Sequence, residues 1–341
     1  MSYVTIFYRF IITNVRTLRG VFGAFVLIFI TMVKNFFKNP WASKLKLEPP
    51  AELTDPKYGV HKYVKVNDMK LHYVESGDPS KPLMLFLHGY PEFWYSWRHQ
   101  IVHFNKDYRV VAVDMRGYGD SEKPEDVSAY KIDHLIEDIR QLIRALGHDK
   151  CILVAHDWGG IVACKLRELH PEVIHTLIML ASTSLDVVFR QIFTTSEQAS
   201  RSRYIFLFRA PKLPELLLQM YDLQFLEKIM LVEGKNTINS QDIECYKYWF
   251  RRQYGLTPPI NYYRANFSYT WEDKFFEEKL PFLLAFAEND KYLSNSILEV
   301  MKTRYATIET AIVEDCGHFL QQEEPEKVNK LIREFLSKNS L

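Results

Sequence analysis

Apolar runs of strand length alternate with amphipathic stretches of helix length over most of this chain. In one such stretch, residues 132–146, apolar residues recur at spacings of three and four, which is typical of a helix with one buried face. Unbroken apolar runs favour strands buried on both faces, the environment of a parallel sheet covered by helices. We therefore predict an α/β fold with a mostly parallel central sheet flanked by helices, and strands at residues 83–87, 110–113, 151–155, 176–180, 282–286 and 308–313.

The alternation of strands and helices is interrupted once. It stops near residue 184 and resumes near residue 280, and the intervening residues are rich in aromatic side chains and helix formers. An insertion of this composition predicts a helical lid. The chain thus divides into an N-terminal hydrophobic segment (1–38), a proline-containing linker (39–58), a core in two parts (59–183 and 279–341) and the lid (184–278) between those parts.

The N-terminal segment contains an uncharged apolar run, residues 21–33, with arginines before it and lysines after it. This run is short for a membrane-spanning helix, which needs about 20 apolar residues. No small-residue cleavage pattern follows directly, and the next residues are the basic and aromatic mixture of a membrane interface. We expect an uncleaved anchor, in a single-pass protein of the endoplasmic reticulum; a cleaved signal and a buried core helix are the alternatives. The flanking charges are too balanced to indicate an orientation.

Composition argues against several other classes of protein. The 341 residues are 47% hydrophobic and 25% charged, with a formal net charge of +1, which is typical of a globular domain. This balance gives no indication of nucleic-acid binding. The four cysteines are far apart and form no metal-binding or disulfide pattern, so we expect reduced, mostly buried thiols and no structural metal.

The strand at 151–155 runs into the sequence His-Asp-Trp-Gly-Gly, and a helical stretch follows. Small residues at such a turn let strand and helix approach closely and expose the central side chain above the sheet. Here that side chain is Asp157, which predicts a carboxylate nucleophile and an ester intermediate. The alternative is that Asp157 only caps the helix that follows.

The sequence His-Gly-Tyr-Pro at residues 88–91 directly follows another apolar strand. In a fold with this kind of nucleophile turn, that loop supplies the second amide of an oxyanion hole. We predict that the backbone N–H groups of Tyr90 and Trp158 converge on one carboxylate oxygen of Asp157. The glycine-rich loop at residues 116–121 is interpreted as structural support.

Two further residues follow the last two predicted strands. Asp290 comes just after the strand at 282–286, and His318 follows the strand at 308–313 and a glycine. The chain order nucleophile, acid, histidine is that of the triad on this fold. Asp290 is the predicted partner of His318, with Glu288 and Asp186 as rival acids.

Taken together, HGYPEFWYSWR, RGYGDS, AHDWGG, the Asp290 loop and GHFLQQEEP resemble the epoxide hydrolase branch of the α/β-hydrolase superfamily. The resemblance covers about residues 60–340 and is strongest to the membrane-associated, epoxide hydrolase 4-like group. It implies an α/β-hydrolase fold and conversion of an apolar, lipid-derived epoxide to a vicinal diol. Water would be the co-substrate, with no cofactor or metal. The chain departs from the family at Phe286-Ala287, where Trp-Gly is frequent, which changes packing but keeps the acid.

The resemblance also implies two lid tyrosines that hold the epoxide oxygen. Tyr263 matches the second, although the neighbouring Tyr262 could shift the assignment by one residue, and Tyr204 is the best match to the first. A haloalkane dehalogenase shares the Asp nucleophile and the following Trp but needs no such pair, so it is the alternative enzyme. A non-catalytic binding scaffold is a third interpretation. Asn266 begins an Asn-Phe-Ser acceptor sequence for glycosylation.

Overall fold

The computed structural model describes residues 3–34, 39–41, 48–231, 237–277 and 279–341. The strands in these residues are β1 (Val60–Val66), β2 (Met69–Ser76), β3 (Leu83–Leu87), β4 (Arg109–Val113), β5 (Cys151–His156), β6 (Ile174–Leu180), β7 (Phe282–Ala287) and β8 (Ile308–Val313). They form one sheet in the order β1-β2-β4-β3-β5-β6-β7-β8. β2 is antiparallel to both β1 and β4, and the pairings from β4 to β8 are parallel. The mostly parallel sheet is therefore confirmed.

The six predicted strands coincide with β3 to β8 to within two residues at either end. Burial on both faces is confirmed in the middle of the sheet, where every residue of β3, β5 and β7 is buried. It is wrong for β8, whose side chains are mostly half-exposed and whose Ile312 is 53% exposed. β8 is an edge strand, so it has only one neighbouring strand to cover it.

The helices outside the segment between β6 and β7 are α1 (Tyr3–Lys34), α2 (Arg98–Phe104), α3 (Ile132–Ala145), α4 (Trp158–Leu169), α11 (Asn295–Arg304), α12 (Leu320–Glu323) and α13 (Pro325–Lys338), with short 3-10 helices at Ala51–Thr54, Pro56–Tyr58, Trp94–Trp97, Val127–Tyr130 and Pro171–Val173. Alternate residues of β3 point to opposite sides of the sheet. Leu85 packs in the core with α3, α4 and α11, and Phe86 in the core with α2 and α13. Two cores therefore sandwich the sheet, as an α/β fold requires.

The segment between β6 and β7 contains α5 (Leu185–Thr194), α6 (Ser196–Arg201), α7 (Arg203–Phe208), α8 (Leu213–Met230), α9 (Ser240–Phe250) and α10 (Thr257–Ala265). The backbone of α8 is broken at residues 220–223, where Tyr221, Asp222 and Leu223 have positive φ angles of 53°, 61° and 60°. The described part of this insertion contains helices and no named strand. It leaves the sheet at the end of β6 and returns at β7, so it stands at the edge where the carboxyl ends of these parallel strands meet.

The N-terminal segment is one long helix. α1 begins at Tyr3, well before the predicted apolar run, and its residues 3–30 are long and apolar enough to cross a membrane. Residues 35–38 of the predicted anchor and 42–47 of the predicted linker lie outside the described residues. The end of that linker packs on the core, because Leu53 and Tyr58 are buried.

Candidate active site

Asp157 stands alone between the end of β5 at His156 and the start of α4 at Trp158. Its φ and ψ angles of 48° and −117° lie in a region that L-residues rarely occupy. The side chain does not cap α4. Instead, the backbone N–H of Tyr90 donates to Asp157 Oδ1 at 2.8 Å. Strained backbone at this turn thus lifts the carboxylate out of the sheet and presents it to the loop after β3.

Two glycines allow this close approach. A Cβ at Gly89 would lie 2.5 Å from Asp157 Oδ1, and a Cβ at Gly159 would lie 2.6 Å from the carbonyl oxygen of His88. No real Cβ makes contacts that short, so a side chain at either position would push the loop and the nucleophile turn apart. The small residues of both sequence motifs are therefore explained by packing around Asp157.

His318 and Asp290 complete the predicted triad geometry. His318 Nδ1 lies 2.8 Å from Asp290 Oδ2, and His318 Nε2 lies 3.6 Å from Asp157 Oδ2, longer than a hydrogen bond. The other oxygen of Asp290 accepts the backbone N–H groups of Tyr292 and Leu293 at 2.7 and 2.9 Å. The acid is thus held in place from both sides.

The two rival acids lie elsewhere. Glu288 is exposed and accepts the backbone N–H of Asp315 at 2.9 Å. Asp186 accepts the backbone N–H of Glu272 and pairs with Arg304 at 2.9 Å. Of the three candidate acids, Asp290, Glu288 and Asp186, Asp290 is the one in contact with His318.

The triad groups shift one another's pKa values. Burial alone would raise the pKa of Asp157 and of Asp290, but the charge of His318 outweighs it and holds both pKa values below their usual value. Hydrogen bonds from the Tyr90 amide to Asp157 and from His318 to Asp290 act in the same direction. Burial would lower the pKa of His318, yet the two carboxylates raise it well above its usual value. The two carboxylates therefore favour the imidazolium form of His318 in the unreacted site.

These groups open into a cavity of about 310 Å³. Asp157, His318, Tyr204 and Tyr263 all line it, together with apolar side chains of α7 and α8. The rings of Tyr204 and Tyr263 meet edge to face, with centroids 5.7 Å apart. Burial raises the pKa of both phenols well above the usual value, so they stay protonated and can donate hydrogen bonds into the cavity.

Comparisons with known proteins agree with this geometry. Residues 82–325 match the family model for the alpha/beta hydrolase fold. The chain is 38% identical to epoxide hydrolase 4 of Mus musculus over 86% of this chain and 84% of that one, and 37% identical to epoxide hydrolase 3 of Xenopus tropicalis over 86% and 82%. The chain belongs to the epoxide hydrolase family. A crystal structure of a Bacillus megaterium epoxide hydrolase variant, complexed with its diol product, superimposes with a TM-score of 0.74 at 29% identity, covering 81% of this chain and 100% of that one.

In this member of the epoxide hydrolase family, the neighbouring residues Tyr262 and Tyr263 lie in different environments. Tyr262 is fully buried and its hydroxyl donates to the carbonyl oxygen of Arg116 at 2.7 Å, whereas Tyr263 lines the cavity. Of these two tyrosines, Tyr263 is thus the one placed to act as the second lid tyrosine. Arg116 also forms an ion pair with Asp138 at 2.7 Å, in line with a supporting role for the 116–121 loop.

Sequence reasoning missed Tyr292. Its ring packs edge to face on His318 with centroids 4.8 Å apart, and it lines the cavity. Burial, with the charges of Asp290 and Asp157, raises its pKa to about 12. Its position two residues after Asp290 was the available signal, because the loop that carries the acid also passes beside the histidine.

A buried carboxylate, Glu92, was also missed. Its Oε2 atom accepts the backbone N–H of Gly89 at 2.9 Å and lies 2.6 Å from His156 Nδ1, while Oε1 accepts the side-chain amides of Gln321 and Gln322. His156 Nε2 lies 2.9 Å from the carbonyl oxygen of His318. The sequence contained a signal, because Glu92 stands among aromatic residues and an acidic side chain in a buried stretch needs a partner.

The predictions for the cysteines and Asn266 can be compared with the structure as well. All four cysteines are buried, as expected. The amide of Asn266 accepts the backbone N–H of Ile132 at 2.7 Å and donates to the carbonyl oxygens of Tyr130 and Tyr262 at 2.8 Å. Glycosylation of the folded chain would break these bonds, which argues against it.

Proposed function

We propose that this chain hydrolyses apolar epoxides to vicinal diols through an ester on Asp157. One observation carries the proposal. A carboxylate at a nucleophile turn, a His–Asp pair 3.6 Å away and two protonated phenols all face one apolar cavity. The diol product recorded for the Bacillus megaterium relative supports the same reaction.

In the first step, Asp157 Oδ2 attacks an epoxide carbon and the C–O bond of the ring breaks. The departing oxygen develops negative charge, and the phenols of Tyr204 and Tyr263 stabilise it by hydrogen bonding and proton donation. Oδ1 of Asp157 is held by the Tyr90 amide, which leaves Oδ2 for attack. The product of this step is an alkyl ester of Asp157.

In the second step, water cleaves that ester. Esterification removes the charge of Asp157, so the pKa of His318 falls and its imidazolium gives a proton back to the phenolate that the first step produced. The neutral imidazole can then accept a proton from water. The hydroxide attacks the ester carbonyl carbon, and the N–H groups of Tyr90 and Trp158 stabilise the oxyanion. The bond from this carbon to the diol oxygen then breaks. The proton of the carboxyl group formed at Asp157 passes to the leaving diol oxygen. Asp157 is thereby regenerated as a carboxylate, and His318 keeps the proton that it took from water.

The cavity supports an apolar, lipid-derived substrate class. Its wall beyond the triad is built from side chains such as Leu217, Leu218 and Phe225 of α8. We infer that residues 184–278 act as a lid, because α7 and α10 carry Tyr204 and Tyr263 over Asp157. The apolar surface of α1 supports membrane attachment, and we propose a membrane-bound protein of the endoplasmic reticulum.

The first test compares two substrates and two proteins. Detergent-solubilised wild type and Asp157→Ala receive an epoxy fatty acid and a haloalkane in parallel, and diol and halide are measured. We expect diol from the wild type only. Halide without diol would assign the chain to the dehalogenases, and neither product from a folded protein would favour a binding scaffold.

A further inference from the structure

The side of α1 that faces the lid consists of small and cationic residues. Gly20 packs so closely on α7 that a Cβ there would lie 3.6 Å from the backbone nitrogen of Leu207. Thr13 and Ala24, on the same face, are buried. The contacts recur at spacings of three and four residues, so one face of α1 lies along the lid.

Two arginines on this side bind the lid. Arg9 donates to the carbonyl oxygen of Tyr269 at 2.8 Å and its guanidinium stands 3.7 Å from the centre of the Trp271 ring. Arg16 donates to the carbonyl oxygen of Ile192 at 3.1 Å. These bonds attach α1 to protein along its first half.

The opposite side of α1 is an apolar stripe that protein leaves uncovered. Leu18, Phe22 and Phe29 are 68%, 72% and 69% exposed. The exposed apolar residues on this side, called the outer stripe below, are Val4, Phe7, Tyr8, Ile11, Val15, Leu18, Phe22, Phe25, Val26, Phe29 and Val33. A continuous stripe of this length is far beyond the scattered apolar residues of an ordinary soluble surface.

α1 also forms part of the active-site wall. Ile28 lines the same cavity as Asp157, beside Leu207 of α7 and Ile229 of α8. The next residue, Phe29, belongs to the outer stripe. Ile28 is half-buried, so it stands at the rim of the cavity. The chain just after α1 is hydrogen-bonded to α8, because the backbone N–H of Tyr221 donates to the carbonyl oxygen of Pro40 at 2.8 Å.

We propose that α1 lies along the membrane surface, with its outer stripe in the bilayer and the lid on its other side, so that epoxides dissolved in the bilayer enter the cavity past Ile28. A spanning orientation would surround α1 with lipid, yet the lid covers one side from Arg9 to Ile28. The 32-residue helix is also about 48 Å long, against a hydrocarbon core of about 30 Å.

Charge favours a bilayer over a second copy of the chain as the covering partner. α1 contains three arginines and a lysine and no acidic residue. Arg19 is exposed beside the outer stripe, where an anionic headgroup can pair with it. Apolar residues on one face with cations at its margin are the pattern of helices that lie in the interface.

The orientation of α1 is tested by measuring depth. The full chain is prepared as Val4→Cys, Leu18→Cys and Val33→Cys variants, and a fluorescent thiol probe labels the introduced cysteine because the four native ones are buried. The labelled proteins are reconstituted in phosphatidylcholine and phosphatidylserine vesicles containing phospholipids spin-labelled at known depths. We expect all three probes at one shallow depth, about 5–10 Å into the headgroup and acyl boundary.

Two outcomes would overturn the orientation. A probe at position 18 near the bilayer centre, with those at 4 and 33 near opposite surfaces, would mean a spanning helix. Probes that no lipid quencher reaches would mean that protein, such as a second copy, covers the outer stripe.

The entry route is tested by kinetics and rests on the proposed function. The Phe22→Ser/Phe29→Ser double variant should lower kcat/KM for a long-chain alkyl epoxide held in vesicles by about tenfold or more, because the vesicle-bound fraction falls. Hydrolysis of a short, water-soluble epoxide should be unchanged. The matched control is Leu169→Ser/Phe275→Ser, which removes two exposed apolar side chains away from α1.

Equal losses on both epoxides, or equal losses in the control, would overturn entry from the bilayer. If the wild type hydrolyses neither epoxide, the proposed function fails, while the depth measurement still decides the orientation of α1.

Discussion

The triad residues differ in what each is expected to do after the ester forms. Asp157 carries the alkyl group, while His318, 2.8 Å from Asp290, is the base that removes a proton from water. The two steps therefore depend on different side chains. Replacing His318 should stop the second step and leave the first one possible.

The His318→Gln variant should accumulate an alkylated enzyme. Its diol production should fall by about 10² to 10⁴-fold, the range that a general base contributes. Mass spectrometry of the protein after one equivalent of epoxide should find the added mass on the peptide that contains Asp157. Multiple turnovers at the wild-type rate would exclude His318 as the base.

Adjacent tyrosines provide a matched pair of variants. Tyr263→Phe removes a hydroxyl from the cavity, so ester formation with an epoxide should slow by about 10²-fold. Tyr262→Phe removes a hydroxyl that bonds Arg116 instead, so it should cost about 1 kcal/mol of stability and leave the rate of ester formation unchanged. Stopped-flow kinetics and thermal unfolding measure the two effects. Equal rate losses would place the proton donor elsewhere.

At the scale of secondary structure, the site depends on how closely β3 and β5 bring their following loops together. The turn at Asp157 has a positive φ, and Gly89 stands against its carboxylate. The hydrogen bond from the Tyr90 amide to Asp157 joins these two loops across 67 residues of sequence. Tyr90 and Asp157 both lie in the predicted motifs, but the distance between them depends on the parallel pairing of β3 and β5.

Gly89→Ala should damage catalysis more than folding. A Cβ 2.5 Å from Asp157 Oδ1 must move the carboxylate or the Tyr90 amide, and a misplacement of about 1 Å can lower a rate by about 10²-fold. The control is Gly23→Ala, since a Cβ at Gly23 meets nothing within 4 Å. We expect kcat/KM for an epoxide to fall in the first variant alone. An active Gly89→Ala enzyme would mean that the loop tolerates the shift.

The elements were predictable where local pattern decides them. The strands β3 to β7 could be recognised from their apolar runs and α3 from its periodicity, because apolar residues occupy the buried positions. The exposure of β8 was missed although Glu309 and Thr310 interrupt its apolar run, which the runs of β3 and β7 do not show. The full length of α1 was also missed, because Arg9, Arg16 and Arg19 interrupt its apolar pattern. The partners of Arg9 and Arg16 lie far away in the chain.

At the scale of the whole molecule, three sequence motifs meet at one buried carboxylate. Glu92 contacts His156 beside the nucleophile and the two glutamines that follow His318. Motif order predicted the triad members, but it could not predict this junction, which depends on the two core parts closing around the lid insertion. The contacts hold the first core part to the second one, directly behind the triad.

Glu92→Gln should therefore destabilise the whole molecule. An amide in place of the carboxylate removes the charge that pairs with His156 and puts a donor where Gly89, Gln321 and Gln322 already donate. Removing one partner of a buried pair costs about 3–5 kcal/mol, so Tm should fall by several degrees. The matched control is Glu288→Gln, the same change at an exposed carboxylate, which should leave Tm nearly unchanged. Thermal unfolding of the detergent-solubilised chain measures both. Equal Tm values for wild type and Glu92→Gln would mean that the two core parts are held together by their apolar contacts alone.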